Sequence, residues 1–492
     1  MKLNSQNLAD FIEDVAVPTY DRSEVTVGIV HFGVGGFHRA HQAMYIDRLL
    51  QQGQALDWGI CGVGVLPGDR RMNDVMQAQD CLYTLALKHS DGKWDTRVIG
   101  SIVEYLFAPD DAEAVIEKMA ADTTKIVSLT ITEGGYNFSA TTGEFDADNP
   151  AIVADLADNA VPATTFGLVI EALARRKDRG MAPFTIMSCD NIEGNGHMAQ
   201  STFTTFARLK DPALADWIQA EGAFPNSMVD RITPVTTPEV TEQLSLRYAI
   251  DDQWPVAGEP FTQWVLEDNF TLGRPPLEEV GVQVVEDVTP YELMKLRLLN
   301  ASHQALAYFG YLGGYRLVHE VCQDSLFSDF LLAYMDQEAT PTLQPVPGID
   351  LTDYKRTLIE RFSNPEIRDT VARLCAESSD RIPKWLLPVI RKNLETGGEI
   401  ARSTAVVASW ARYAEAVDES GEPIEIVDQL RDSLVPIAQS QRENPTAFIA
   451  NRAVFGDLID NERFVAEYTK QLSSLQEQGA RATLESLVSG TS

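Results

Sequence analysis

A chain of 492 residues is too long for one ordinary hydrophobic core, so two or three domains are expected, and 44% hydrophobic with 23% charged residues is a globular balance. Its 72 acidic against 40 basic residues give a formal charge of −32, which argues against nucleic acid or an anionic membrane surface as a partner. No apolar run is long enough to span a bilayer, Met1 to Asp14 lack the basic-then-apolar pattern of a secretory signal, and five scattered cysteines without a Cys-x-x-Cys pair suggest neither a disulfide framework nor a structural zinc site. A reducing cytoplasm is the expected location.

In chain order, residues 25–32 read as a strand, 39–52 as a helix and 58–65 as a second strand, with further strands at 125–131 and 184–188. Short β-rich runs alternating with helical stretches imply a mainly parallel sheet covered by helices. After about residue 285 the pattern turns to long amphipathic segments at 291–312, 351–362, 366–376 and 400–417, interrupted by proline-rich loops at 340–350 and 378–388. The expected architecture is α/β: a Rossmann-type N-terminal domain with a mainly parallel sheet over residues 1-285, followed by a mainly α-helical C-terminal domain over residues 286-492.

The first strand runs into Gly33-Val34-Gly35-Gly36-Phe37-His38 and then a helical pattern. A strand, a tight glycine turn and a helix amino terminus make the phosphate-binding unit of a Rossmann fold, with Gly33 permitting the turn and Gly35 the close approach of a pyrophosphate. His38 stands where the third glycine of the usual pattern lies, so a plain strand-to-helix turn is the competing reading. Beyond the second strand, Asp69 is the candidate acceptor for ribose hydroxyls and favours NAD over NADP, although Arg70 could tolerate a phosphate and a surface turn is the simpler alternative. Two later strands stop at Glu133-Gly134-Gly135 and at Ser188-Cys189-Asp190-Asn191, where ligands of an open α/β sheet lie. Asn191 could there supply an amide to a substrate oxygen, or Asp190-Asn191 could form a turn or helix cap.

Residues 291–309 are apolar nearly all round and read as a buried helix. At about 100° per residue, Lys295, Asn300 and His303 fall within an arc of about 140°. A desolvated lysine can serve as a general base, and an asparagine amide can donate to a developing oxyanion. Alternatively, Lys295 reaches to the surface and the other two are satisfied core polar groups.

Five ordered segments together resemble the polyol-specific long-chain dehydrogenases: Gly33-Val-Gly-Gly-Phe-His-Arg-Ala-His41, Thr130-Ile-Thr-Glu-Gly-Gly-Tyr136, Ser188-Cys-Asp-Asn191, Phe224-Pro-Asn-Ser-Met-Val-Asp-Arg-Ile-Thr-Pro234 and Tyr291-Glu-Leu-Met-Lys-Leu-Arg-Leu-Leu-Asn-Ala-Ser-His303. The resemblance runs from the first residues to beyond Val417. It implies a metal-independent, NAD-linked oxidation of a small polyol, mannitol to fructose at C2, and the reverse reduction. In that family's pattern Lys295 is the general acid–base, Asn191 and Asn300 clamp the reacting oxygen, His303 holds a neighbouring hydroxyl, Asp230 positions the substrate and Glu292 relays the proton to solvent. Gly33, Val34, Gly35, Gly36, Phe37, Asp69, Glu133 and Gly134 match cofactor-binding positions, and Gly68 stands where relatives can carry a second acid. Arg373 matches a substrate-contacting arginine, while Arg381 stands where relatives often have lysine, a planar fork in place of a point charge.

Within the family the rival substrates are arabinitol or a sugar acid, in the pairs mannonate/fructuronate and altronate/tagaturonate. A carboxylate would call for a further cation, for which Arg373 and Arg381 are candidates. A zinc-dependent alcohol dehydrogenase is disfavoured by the ligand spacing. A regulatory NAD sensor gives no reason for Lys295, Asn300 and His303 to share a face. The chain is expected to be a monomer or a small homo-oligomer.

Overall fold

The run Val-Gly-Ile-Val-His-Phe at Val27–Phe32 carries apolar residues on both faces, and in the computed structural model it is the central strand of a five-stranded parallel sheet. The order across that sheet is Ile102–Phe107, Gly59–Gly64, Val27–Phe32, Ile126–Leu129, Thr185–Ser188. On one face Val30, Phe32, Cys61, Val63, Val127, Leu129 and Ile186 pack with buried residues of the helices Ala112–Ala120, Thr165–Asp178 and Asn195–Lys210. On the other, Ile29, Ile60, Ile126 and Met187 pack with Met44, Tyr45, Ile46, Leu49 and Leu50 of the helix Gln42–Gln51. Cover on both faces is why these strands read as unbroken apolar runs.

The structure describes residues 1–11, 15–138 and 144–489, so residues 12–14 of the segment read for a secretory signal, and the last three residues, lie outside it. The chain divides into two compact units, Met1–Val288 and Thr289–Ser492. The first contains the α/β sheet and two smaller sheets that the strand pattern did not announce. One orders Gln283–Val285, Gln263–Glu267 and Ser227–Asp230, and the other Trp94–Ile99, Tyr83–Lys88 and Val256–Gly258. Each contains an antiparallel pair. The single helix expected at 39–52 is two, Gly36–Ala40 and Gln42–Gln51, broken at His41.

The second unit is mainly helical, and three expectations there need correction. The helix over 291–312 is α-helical at Thr289–Met294, π-helical at Lys295–Asn300 and α-helical again at Ala301–Leu312. Only Val371–Cys375 of the 366–376 segment is helical, because Arg368 adopts a left-handed backbone (φ 53) and Thr370 caps the short helix by accepting from Arg373 N. The loop expected at 378–388 is instead the helix Ser378–Trp385 and the start of Leu387–Thr396. Pro383 is tolerated inside it because Ile382, Leu386, Val389 and Ile390 are all buried, and because the Asp428 carboxylate accepts from Ser379 N and Oγ at 2.8 and 2.6 Å. Tertiary burial thus overrides the local proline signal. No described helix is long and apolar enough to cross a membrane.

Candidate active site

In the first unit the strand ends fall in one row: Phe32 pairs with Val63 and Leu129, and Leu129 with Ser188. Residues just beyond that row therefore share the carboxyl edge, with the order reversing on either side of Val27–Phe32, where a ligand of such a sheet binds. Gly33 has φ +88, and a Cβ there would lie 2.1 Å from the Thr130 carbonyl oxygen. No other residue fits. A Cβ on Gly35 would meet nothing closer than 3.9 Å, and one on Gly68 or Gly134 nothing within 4 Å. Bare backbone on these sides fits the close approach of a dinucleotide. Val34 is buried, Phe37 stacks on His41 with ring centroids 4.9 Å apart, and a Cβ on Gly36 would make only ordinary contact. Gly33→Ala is expected to cost at least about 2 kcal/mol in denaturant unfolding and to abolish NADH binding.

His38 replaces the third glycine without opening a gap. Its ring lies flat on His31 of the central strand, centroids 3.4 Å apart and 11° from parallel, and its Nδ1 meets Gln42 Oε1 at 2.8 Å. Burial pushes both imidazoles down, His38 to about 3, so both are neutral. Thr130 Oγ1 donates to the Gly33 carbonyl at 2.7 Å, so it accepts from His31 Nε2 at 2.9 Å, and His31 Nδ1 then accepts from Ser128 Oγ at 2.7 Å. The tautomer follows from that chain. It fixes the glycine turn from beneath.

Asp190 proves to be the organiser of the edge. Its buried carboxylate accepts from Ile131 N (3.1 Å), Thr132 N (2.8 Å) and Tyr136 Oη (2.8 Å), tying the loop that carries Glu133 and Gly134 to the strand end that carries Asn191. Burial pushes this carboxyl up, against those bonds. Thr132 is held at φ 64, ψ 168, a strained conformation for threonine and one that clusters at functional sites. Glu133, Gly134 and Asn191 are exposed. Asn195 donates through Nδ2 to Asp190 O (3.0 Å) and Ser227 O (2.8 Å), which docks the strand Ser227–Asp230, with buried Asp230 at its end, onto the same edge. Arg231 is structural: it donates to the carbonyls of Ala40, Phe261 and Pro260, and burial pushes it down to about 10, still a cation at neutral pH. Sequence reasoning missed Asp190, Asn195 and Arg231 as positioning residues, since their partners lie far away along the chain.

Asp69 sits in the turn Pro67–Asp69 and accepts from Val65 N and Leu66 N, both at 2.9 Å and both through Oδ2. Oδ1 takes part in neither bond. Arg70 is engaged by Asp110 through both Nη atoms at 2.6 and 2.5 Å, which compensates the cation that could have greeted a 2′-phosphate.

In the second unit, Glu292, Lys295 and Asn300 are buried and His303 is partly so, its ring 4.5 Å from that of Phe362. Lys295 and Asn300 are the two ends of the π-helical segment. A uniform rotation of about 100° per residue therefore does not hold between them, and the arc of about 140° expected for Lys295, Asn300 and His303 does not apply. Asn300 Nδ2 is buried without a hydrogen-bond partner among the described residues, which costs desolvation free energy. The helix Val371–Cys375 packs against Ala301–Leu312, and Ser378–Trp385 packs against both Lys295–Asn300 and Ala301–Leu312. Gln304 Nε2 donates to Leu374 O at 3.3 Å, and Tyr308 Oη meets Ser378 Oγ at 2.5 Å. Arg373 thereby sits on a helix beside Ala301–Leu312, and Arg381 on one beside both that helix and Lys295–Asn300. Arg373 is clasped by Asp369, and Arg381 Nη1 donates to the carbonyls of Arg373 (3.1 Å) and Leu374 (3.3 Å). Among the described residues no group of three or more His, Cys, Asp or Glu is placed to hold a metal ion.

A buried amine and an unpaired amide on one helix suit an alcohol that must lose a proton, and a sheet edge with bare glycines suits a dinucleotide. These are the makings of a nucleotide-linked dehydrogenase. A family model described as the mannitol dehydrogenase Rossmann domain matches residues 27–279, and one described as the mannitol dehydrogenase C-terminal domain matches residues 287–476. A mannitol 2-dehydrogenase of Phaeosphaeria nodorum is 48% identical over 488 residues, 98% of this chain and 85% of that protein, and one of Neosartorya fischeri is 47% identical over 495 residues, 98% of each. Among solved structures, the Pseudomonas fluorescens mannitol 2-dehydrogenase ternary complex with NAD and D-mannitol matches with TM-score 0.90 and 46% identity, covering 99% of this chain and 100% of that one. A D-sorbitol dehydrogenase in substrate-free form matches with TM-score 0.92 and 37% identity, covering 98% and 100%. The chain belongs to the mannitol dehydrogenase family.

Proposed function

We propose that this chain catalyses the NAD-dependent oxidation of D-mannitol at C2 to D-fructose, and the reverse reduction, without a metal and with Lys295 as general acid–base. What supports this most is the buried Asn300 Nδ2, without a hydrogen-bond partner among the described residues, at the other end of one π-helical segment from buried Lys295. The residues 33–37 hold the pyrophosphate, Asp69 the adenosine ribose, and Glu133 and Gly134 the adjoining part of the cofactor. NAD, when bound, accepts the hydride from the carbinol carbon. Asn191 and Asn300 donate to the substrate oxygen and favour the alkoxide, Lys295 takes the hydroxyl proton, and Glu292 passes it to solvent. His303, Asp230, Arg373 and Arg381 hold the remaining hydroxyls. Arg381, with its Nη1 on two main-chain carbonyls, steadies the segment that presents Arg373. Five buried cysteines, none of them paired, suit a reducing cytoplasm.

The similarity to a D-sorbitol dehydrogenase makes sorbitol the second substrate to consider. Initial rates of NADH formation with mannitol, sorbitol, arabinitol, mannonate and altronate decide between them. Mannitol is expected to give the highest kcat/KM, and the rate is expected to survive dialysis against a strong chelator. A higher kcat/KM with another compound overturns the substrate, and loss of activity on chelation, restored by metal, overturns the metal-free mechanism.

A further inference from the structure

The two arginines expected to face the far end of the substrate differ from free cations in a way that bears on which substrate they admit. Arg373 Nε donates to Asp369 Oδ1 at 2.6 Å and its Nη2 to Oδ2, a bidentate clasp within one turn of chain. Asp369 is buried while the Arg373 side chain is half exposed. The carboxylate is itself fixed: Thr370 N donates to Oδ1 at 2.9 Å, and Val318 N donates to the Asp369 carbonyl at 2.9 Å. Arg381 has its Nη1 committed to two main-chain carbonyls.

We propose that Asp369 is a specificity-determining residue: by cancelling the charge of Arg373 it leaves guanidinium N–H groups for the hydroxyls of a neutral polyol and no net attraction for the carboxylate of a sugar acid. A guanidinium has five N–H donors, and the clasp uses two of them. Those that remain are as good for a hydroxyl as before. For a carboxylate the balance is different, because the attraction of the arginine is opposed by a fixed anion only one side chain further away. The bond to Asp369 also holds the guanidinium more firmly protonated than usual, so the pair does not lose its cation near neutral pH. This inference rests on the polyol reading above.

The test measures kcat/KM for D-mannitol and D-mannonate with NAD in the full-length wild type, Asp369→Asn, Asp369→Glu and Arg373→Ala. Asp369→Asn is expected to shift the mannonate-to-mannitol ratio toward the acid by about tenfold, chiefly through KM for mannonate, whereas Asp369→Glu keeps the ratio near that of the wild type. Arg373→Ala is expected to weaken both substrates by a similar factor, since the charge it removes is already cancelled; this arm decides the matter should Asp369→Asn fail to fold. An unchanged ratio in Asp369→Asn, or a selective loss of mannonate in Arg373→Ala, overturns the role of Asp369. Wild type that prefers mannonate to mannitol overturns the substrate assignment instead, so the two failures are distinct.

Discussion

Lys295→Ala is expected to lower kcat for mannitol oxidation by about a hundredfold to ten-thousandfold, the range for losing a positioned general base, while NADH binding is retained. Lys295 lies in the second unit, whereas the residues proposed to bind the cofactor lie in the first, so losing the amine is expected to leave the sheet edge that carries them intact. The side chain is buried in an element whose neighbours Leu296, Leu298 and Leu299 are also buried, so truncation leaves a space rather than a solvated surface. A small primary amine added to the medium is expected to restore part of the rate, because what is missing is a proton acceptor and not a fold. Circular dichroism and NADH titration check the fold, and rate against amine concentration checks the chemistry. Near-wild-type turnover in a well-folded variant would remove Lys295 from the mechanism.

Asn300→Ala is expected to lower kcat by about a hundredfold to a thousandfold, the loss seen when one donor to a developing oxyanion is deleted. Its thermal midpoint is expected to change little. A structural amide of this burial would leave partners stranded on truncation, at a cost of about 1–3 kcal/mol, but Asn300 Nδ2 has none to strand among the described residues. The two readouts together separate a donor kept for substrate from one kept for the core. A large fall in stability with a small fall in kcat would assign Asn300 to the fold.

The dinucleotide half was legible because its chemistry is local. A strand that ends in Gly33, with a carbonyl 2.1 Å from where a side chain would begin, leaves a residue-type signature, and so do the strand ends carrying Glu133-Gly134 and Asn191. Hydrophobic runs also gave the parallel sheet, since both its faces are covered. What escaped is held by groups distant in sequence. Asp190 is read from its neighbours as a turn or cap, yet it serves the loop some sixty residues earlier, from Ile131 N to Tyr136 Oη. The helix at Ser378–Trp385 is hidden behind Pro383 because Asp428, from outside it, and the burial of its own Ile382 hold it in place. The π-helical turn at Lys295–Asn300 has no compositional mark: the same leucines suit an α-helix, and only the fold shows that Lys295 and Asn300 bracket the irregular segment. The clasp of Asp369 on Arg373 was equally invisible, because an i,i+4 pair signals a helix, and here the backbone between them is not one throughout.

The most direct test of the central claim follows the hydride. D-Mannitol deuterated at C2 and at its symmetry equivalent C5 is incubated with NAD and the enzyme, and the reduced nucleotide and the sugar are analysed by mass spectrometry and chromatography. Deuterium in the nicotinamide ring of NADH, with fructose as the ketose formed, is the predicted result. Unlabelled NADH, or an aldose produced by oxidation at the terminal carbon, would contradict it.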